Sequence, residues 1–528
     1  MTTDTLSSFL SWYFDHHPAH AGQLGSLEHY STFGDFSAAA FEQRARARGE
    51  WLGRIERLPE SVDRDLALSA LRGSLAAEAW PGWRRDPHEY SSVIFFGLLG
   101  PFLHGLLPED ELVGAAVAKL GEVPSVLAAA QANLDPSLAS PLVVRRGLDQ
   151  ARTGRSFLLD SLPLEVSSPA LRAKLVDAAV PAAEAFDRYA VFLEDLAVRA
   201  IGDWRMGEKL YSTLLRDKEL LGYGAPELHR RGQDAYAALE AELVELAGTA
   251  DWRSVMSTLQ ADHPPTLEAM RTEYEAETAR ARAALVEHSL VTLPEGEECR
   301  VVPSPPFNRA VMAVASYSGP PPLTSKRTGH FFVPFTPPGA TDEQVAQRLR
   351  TNSRSQLPTI SVHEAYPGHH WHSAWVAAQG PEHPLRKVFR TPYFSEGWAL
   401  YSEKLLREVG YYTTRAALMS HVEARLFRAA RMIVDTALHC GDMTPPEAEE
   451  FMLARTALTP GTAAGEVKRY CAWPTQAPSY LTGALEIDQI REEYLAAGLG
   501  TLRDFHDRIA GSGSLPLGLA RRVALGEN

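Results

Sequence analysis

The sequence of 528 residues has few cysteines, no excess of positive charge and no long apolar run. Its three cysteines, Cys299, Cys440 and Cys471, are far apart and lack C-x-x-C spacing, which argues against a disulfide framework and a thiolate zinc site. The formal charge is −14 at pH 7, whereas nucleic acids and anionic membranes require a basic face. We see no uninterrupted run of about 18 apolar residues that would span a bilayer.

The N-terminal segment MTTDTLSSFLSWYFDHHPAH has neither a basic segment nor a long apolar segment, the two features of a secretory signal. We therefore expect a cytoplasmic protein that binds neither nucleic acid nor membrane. The sequence does not predict an oligomeric state.

Apolar residues at helical spacing dominate most of the chain. Proline-containing breaks such as DPSLASP (135–141) separate the helical segments. The predicted helices cover residues 37–58, 65–80, 112–133, 169–202, 226–247 and 265–288. This pattern indicates a mainly α fold, built as a bundle or layered array of long helices.

The amino-acid composition changes near residue 290, where proline, serine, β-branched and aromatic residues become frequent. We predict loops with two or three short strands at 300–335, of which GHFFVPF (329–335) is the strongest candidate. Segment 317–335 could also offer a strand edge to an extended peptide. We therefore expect an N-terminal helical region, 1–290, and a C-terminal region, 291–528, that carries the chemistry, together in one integrated fold with a small β-sheet.

One stretch, SVHEAYPGHHWHSAW (361–375), begins like the H-E-x-x-H pattern of zinc enzymes, with His363 followed by Glu364. That pattern works because residues four apart on a helix share one face. Here the next histidine, His369, is six residues on, and it would lie roughly 120° away on a regular helix. His370 would share the face of His363 but lie about 10.5 Å further along the axis. A regular helix therefore cannot form the site.

Pro367 and Gly368 resolve this difficulty, because proline lacks an N–H for the helix and glycine permits unusual backbone angles. We expect the helix to be distorted at 366–368, so that His369 rather than His370 joins His363 on one ion. Glu364 would then be the general base. The alternative is a histidine-rich helix end that caps carbonyl groups or faces solvent.

A third ligand is predicted downstream, in PYFSEGWALYSEKLL (392–406). Glu396 opens an apolar helix and suits a site of the His2Glu type. Glu403 lies two turns further on the same face, where it could hydrogen-bond a ligand histidine. Alternatively, Glu396 only favours the helix dipole.

These residues resemble the family called domain of unknown function 885. The resemblance rests on HEAYPGHH and EGWALYSE, and extends to LSWYFDHHPAHAGQLGSLEHYSTFGD (10–35), RLFRAARMIVDTALHCGDMTPPEAEEFM (425–452) and VKRYCAWPTQAPSYLTGALEI (467–487). It implies a mainly α, zincin-like metallopeptidase architecture with a central cleft, and one Zn²⁺ held by His363, His369 and Glu396. The family usually has Gln where this chain has His372, which puts local hydrogen bonds and substrate contacts in doubt.

The resemblance also implies a tyrosine that stabilises the oxyanion, and Tyr480 in QAPSYLTG is the first candidate. A buried structural tyrosine is the alternative. Neighbouring residues that could contact polar groups of a substrate are Arg469, Tyr470 and Gln476. Helical spacing places Arg428, Arg431, Asp435 and His439 on one face. This face could bind a substrate carboxylate through arginine, but we favour a structural ion network.

Together these features predict a zinc hydrolase that cleaves a peptide or amide bond in a short peptide or small amide. Zinc and Glu364 would activate water. One alternative is a zinc-dependent biosynthetic hydrolase or lyase acting on a non-peptide metabolite. The other is a catalytically silent binding protein, against which the intact His-Glu pair and Glu396 argue.

Overall fold

The computed structural model describes residues 2–306, 309 and 314–527. The fold is mainly α-helical, with a small sheet of three strands. Every predicted helix between residues 37 and 288 is confirmed, with ends that differ by a few residues. The chain divides into two compact units, Met1–Glu60 with Ala70–Met206, and Ser61–Ser69 with Gly207–Asn528. The predicted boundary near residue 290 lies inside the second unit, where helices give way to the sheet.

The first unit consists of helices, of which α3 and α10 begin at a serine side-chain cap. Its helices are α1 (Thr2–His16), α2 (Pro18–Gln23), α3 (Ala38–Ile55), the second half of α4 (Val62–Ala77), α5 (Gly82–Arg85), α6 (His88–His104), α7 (Glu109–Asn133), α8 (Pro141–Ala151), α9 (Gly154–Ser156) and α10 (Pro169–Arg199). The longest, α10, starts where the Ser168 side chain accepts a hydrogen bond from the Leu171 N–H and Pro169 takes the first helical position. It packs against α7 and α8.

Helix α7 is long and apolar enough to cross a membrane by length and composition. Half of its most apolar window is buried inside the protein, and a single helix of this kind is weak evidence for a membrane span. Lys119 and Glu122 interrupt its apolar sequence. For this reason α7 does not appear in the sequence as an uninterrupted run of apolar residues.

The second unit contains the sheet and the remaining helices. These helices are the first half of α4, α11 (Glu208–Thr213), α12 (Ala225–Ala247), α13 (Trp252–Leu259), α14 (Leu267–Glu287), α15 (Asp342–Thr351), α16 (Leu357–Glu364), α17 (His369–Ala378), α18 (Pro384–Val388), α19 (Pro392–Glu408), α20 (Arg415–Cys440), α21 (Pro445–Arg455), α22 (Pro460–Ala472), α23 (Ser479–Ala496), α24 (Leu502–Gly511) and α25 (Leu517–Leu525). Helix α12 packs along α20, and α19 packs along α23.

Two glycines allow α19 and α23 to approach closely. A Cβ atom added at Gly397 would lie 2.5 Å from the Cα of Gly483, and one added at Gly483 would collide with the Tyr393 carbonyl oxygen. No larger side chain fits either position without moving a helix. The contact fixes Glu396, next to Gly397, relative to Tyr480, three residues before Gly483.

The sheet contains β1 (Glu298–Pro303), β2 (Ser316–Ser318) and β3 (Thr328–Val333) in the order β1-β3-β2. β1 pairs with β3 in parallel and β2 pairs with β3 antiparallel. The predicted short strands are therefore confirmed. β3 is central and paired on both sides, so the only edge that segment 317–335 contributes is part of β2. Predicted loop residues 307, 308 and 310–313 lie outside the described residues.

Candidate metal site

The HEAYPGHH stretch forms two helices with a break between them. Helix α16 ends at Glu364 and α17 begins at His369, so the predicted distortion is confirmed. A hydrogen bond spans the break, because the Gly368 N–H donates to the Val362 carbonyl at 3.1 Å. A Cβ at Gly368 would collide with the carbonyl oxygens of Val362 and His363. Glycine is therefore required at this position by close backbone approach.

The break brings His369 beside His363, and α19 adds Glu396 to the pair. The Nε2 atoms of His369 and His363 lie 3.3 and 3.5 Å from Oε2 of Glu396. Ligand atoms of all three residues lie within 4.8 Å of one another. Two ligands about 2.0–2.1 Å from a tetrahedral zinc ion stand roughly 3.3 Å apart, which the two distances to Glu396 match. The donor set of two imidazoles and one carboxylate therefore fits zinc and leaves a position for water.

Glu403 orients His363 from behind. Its Oε1 accepts a hydrogen bond from His363 Nδ1 at 2.8 Å, which leaves Nε2 directed to the cluster. Its Oε2 accepts from Thr359 Oγ1 at 2.8 Å and lies 3.7 Å from Nδ1 of His421. Glu403 is 1% exposed, so these contacts are shielded from water. A buried carboxylate on a histidine is the usual support of a metal-ligating imidazole.

The carboxylates and imidazoles shift one another's pKa values. Burial would raise the pKa of Glu396, but His369 and His363 outweigh it and hold that pKa well below its usual range. Burial disfavours the cationic form of His363, but Glu396 and Glu403 raise its pKa to about 10. The protonated imidazole balances the carboxylates when no cation is bound. Since a metal ligand must be neutral, zinc would displace this proton.

Glu364, the last residue of α16, has a raised pKa because it is buried. The neighbouring imidazoles of His363 and His369 oppose this shift, and the Glu396 carboxylate adds to it. A carboxylate with a raised pKa accepts a proton more readily near neutral pH.

Tyr480, in the first turn of α23, stacks its ring on the His363 imidazole, with 6.3 Å between centroids. Burial and the Glu396 carboxylate raise the pKa of Tyr480, so its hydroxyl stays protonated and can donate a hydrogen bond. The Arg431 guanidinium carbon lies 4.7 Å from the centre of the Tyr480 ring.

Arg431, Arg469 and Tyr470 converge on one carboxylate, Glu466 of α22. Its Oε2 accepts hydrogen bonds from Arg431 Nε at 3.1 Å, from Arg469 Nη2 at 2.9 Å and from the Tyr470 hydroxyl at 2.6 Å. Arg469 also donates to the side chain of Gln476. The structure therefore brings four of the predicted residues into one network beside Tyr480, with Glu466 as the shared acceptor.

The polar face predicted on α20 divides between different surroundings. Arg428 lies 5.9 Å from the Tyr480 ring centre and lowers the pKa of Glu364, so it belongs to the neighbourhood of the cluster. Asp435 instead accepts hydrogen bonds from the Tyr211 hydroxyl at 2.5 Å and the Thr475 N–H at 3.1 Å. Its contacts tie helices and loops together, as a structural network does.

His370 and His372 point to two further places. The Nε2 of His370 lies 2.8 Å from Oε2 of Glu297, and its Nδ1 lies 3.0 Å from the Tyr317 hydroxyl, so the residue anchors α17 to the sheet region. His372 is 2% exposed and packs on Phe394 at 5.2 Å between ring centroids. Neither histidine joins the His363–His369–Glu396 cluster.

Three residues with roles at the site were not predicted from the sequence: Glu297, His421 and Glu466. Each is the partner of at least one predicted residue. Glu466 carried a weak signal, since it stands three and four residues before Arg469 and Tyr470, a spacing that favours contact on a helix. Glu297 and His421 show no such local pattern.

Comparisons with known proteins add a family and a fold. The sequence matches the family described as "Bacterial protein of unknown function (DUF885)" over residues 18–523. No curated protein matches it. A protein from Shewanella oneidensis, described as "a putative lipoprotein of unknown function", shares 20% identity at a TM-score of 0.77, covering 99% of this chain and 100% of that one. The "putative lipoprotein" from Colwellia psychrerythraea shares 19% identity at a TM-score of 0.82, covering 99% and 98%. At these identities the likeness concerns the fold alone.

Proposed function

The chain belongs to the DUF885 family of bacterial proteins of unknown function, and we propose from its own residues that it is a zinc-dependent hydrolase. It would cleave a peptide or amide bond in a short peptide or a small amide. The observation that carries the proposal is the cluster of His363, His369 and Glu396, with His363 held from behind by Glu403.

The proposal includes a zincin-like architecture with a central cleft. It is supported by two histidine ligands on one interrupted helical segment and a carboxylate ligand on the following long helix, α19. The general base follows the first histidine directly, as in H-E-x-x-H enzymes. A bound zinc ion would supply a Lewis acid that lowers the pKa of water and polarises a carbonyl group.

The protein side chains divide the remaining work. Glu364 takes a proton from the attacking water and passes it to the leaving amine, a role that its raised pKa favours. The Tyr480 hydroxyl donates to the oxyanion that forms on the carbonyl. Glu403 keeps the imidazole of His363 in the orientation that presents Nε2. The nearby arginines, held by Glu466, keep the surroundings of Tyr480 positive and thus favourable to developing negative charge.

The test is hydrolysis of a dipeptide and tripeptide library by the zinc-loaded protein and by its Glu364→Gln variant. We expect wild-type activity and a loss of at least about 100-fold in the variant, the size of a general-base contribution. Equal activity of the two proteins, or none in either, would remove the peptidase function. Full zinc occupancy without any hydrolysis would favour an enzyme that acts on a non-peptide metabolite.

A cytoplasmic location is part of the proposal. The description of the two solved structures as lipoproteins belongs to those proteins. Cell fractionation of the natural host tests the location, and recovery in the membrane fraction would contradict it.

A further inference from the structure

A pocket beside the candidate metal site has a strongly basic wall. It provides about 290 Å³ of space, counting the part that is open to solvent. Its polar lining consists of His372, Ser373, Arg386, Lys387, Arg390 and Ser514. No acidic residue is among the described residues that line it.

Of the three cations, Arg386 alone has an ion pair within the part of the chain that the structure describes. Arg386 forms an ion pair with Asp63, with Nε 2.6 Å from Oδ1. Lys387 Nζ donates to the carbonyl of Gln379 at 2.7 Å, and the Glu382 carboxylate is close enough to act on its pKa without forming an ion pair with it. Among the described residues, no carboxylate forms an ion pair with Arg390. The pocket therefore carries two positive charges that an anion would neutralise.

His372 adds an unsatisfied polar atom to the same wall. The residue is 2% exposed, and burial lowers its pKa to about 3, so the imidazole is neutral. The ring bonds the backbone of Ala510, while its Nε2 has no hydrogen-bond partner. A neutral imidazole that donates through one nitrogen accepts through the other. A buried acceptor without a donor is costly, which indicates that a ligand or water supplies one.

The pocket adjoins the cluster through α17 and β2. His372 follows His369 by one helical turn, and Tyr317 stacks on His369 with 6.4 Å between ring centroids. Arg390 is close enough to Tyr317 and to His372 to affect the pKa of both. A substrate with its scissile bond at the cluster could therefore extend into the pocket.

We propose that this pocket, lined by Arg390, Lys387 and His372, holds an anionic group of the substrate, a carboxylate or a phosphate. An N–H or O–H next to that group donates to His372 Nε2. The role as a substrate pocket rests on the proposed hydrolase function, but anion binding itself does not. Substrates with an acidic group next to the cleaved bond are thus the expected class.

The binding test uses glutarate and methyl phosphate as probes of the two anion chemistries, titrated calorimetrically into the full-length protein. We expect saturable binding of at least one probe, and the tighter one identifies the source of the anion. The double variant Arg390→Gln/Lys387→Met should bind at least about tenfold more weakly, since it loses two charge-assisted contacts. Lys209→Met removes an exposed positive charge on α11 and should bind like the wild type.

His372 is tested by two substitutions that separate its hydrogen bond from its volume. His372→Gln keeps an acceptor and should retain most of the affinity for methyl phosphate, whose monoanion carries an O–H donor. His372→Leu removes the acceptor and should weaken binding about three- to tenfold. Circular dichroism confirms that both variants fold.

Failure of the pocket and failure of the hydrolase have different signatures. Absence of saturable binding in the wild type, unchanged affinity in the double variant, or an equal loss in Lys209→Met would each overturn the pocket. In the hydrolysis test, peptides with glutamate next to the cleaved bond should be cleaved at least about tenfold better than peptides with glutamine at the same position. The double variant should lose this preference. Equal cleavage of both peptides by the wild type would also overturn it. Anion binding that depends on Arg390 and Lys387, without hydrolysis of any peptide, would support the pocket and remove the hydrolase.

Discussion

Replacing Glu403 with glutamine isolates the contribution of the carboxylate behind the metal cluster. The side chain keeps its size, and its remaining oxygen can still accept the hydrogen bond from His363 Nδ1. In the wild type this hydrogen bond is 2.8 Å long. What disappears is the negative charge that makes the imidazole a better ligand. Because Glu403 is 1% exposed, water does not screen this charge.

The expected effect is a loss of zinc affinity of about 10- to 100-fold, or about 1.4–2.7 kcal/mol, as found for groups that support a metal ligand. Competition with a chelating dye measures the zinc dissociation constant directly. Glu408→Gln is the matched control, because it removes the same charge from the same helix, where Glu408 forms partly exposed ion pairs with Arg491 at 2.8 Å and Lys404 at 3.9 Å. Its zinc affinity should stay within about twofold of wild type, since such pairs contribute less than about 1 kcal/mol even to stability.

Two results would refute this reasoning. If Glu403→Gln bound zinc as tightly as the wild type, the Glu403–His363 contact would not support a metal ligand. If Glu408→Gln lost as much zinc affinity, the loss would come from the overall charge of the helix and not from the contact between Glu403 and His363.

Three further predictions concern the break, the cluster and the oxyanion. Gly368→Ala should abolish zinc binding, measured as metal content, because its Cβ would collide with two carbonyl oxygens, whereas Gly461→Ala, at an open position, should not. The chelator-treated protein should lose thermal stability as the pH rises from 7 towards 10. The pKa of His363 is about 10 in the folded protein and near 6.5 in the unfolded chain, so protonated His363 stabilises the fold fully below pH 6.5. This stabilisation is lost as the pH rises to the folded pKa. The zinc-loaded protein should lack this loss, because its ligand imidazole is neutral throughout, and identical melting profiles would contradict it. Tyr480→Phe should lower kcat by about 10²–10³ with little change in KM, and an unchanged kcat would leave the tyrosine a structural role.

The helices could be predicted because their signals are local. Residues 169–202 carry apolar positions at helical spacing together with a serine cap and a proline at the first turn, and the structure has α10 at Pro169–Arg199. The break at 365–368 was equally predictable, since Pro367 and Gly368 act through the backbone of their own turn. The close contact between α19 and α23 was not, because it depends on two glycines far apart in the sequence, Gly397 and Gly483.

The surroundings of the candidate site were less predictable for the same reason. Sequence spacing placed Asp435 with Arg428 on one helical face, but the structure surrounds Asp435 with Tyr211 and Thr475, which come from other segments. The contacts of Glu466 with Arg431 and of Glu297 with His370 could not be assigned before the helices were assembled. Tertiary packing determines which distant residues form ion pairs, and the periodicity of a single sequence does not reveal that packing.

We propose that His369, brought to His363 by the broken helix, holds one zinc ion together with His363 and Glu396. Metal analysis of the zinc-saturated and dialysed full-length protein, compared with His369→Ala and His370→Gln, tests it most directly. We predict about one zinc per chain in the wild type and in His370→Gln, and less than about a tenth in His369→Ala. A folded wild-type protein with less than about half an equivalent, or a His369→Ala variant that retains its zinc, would contradict it.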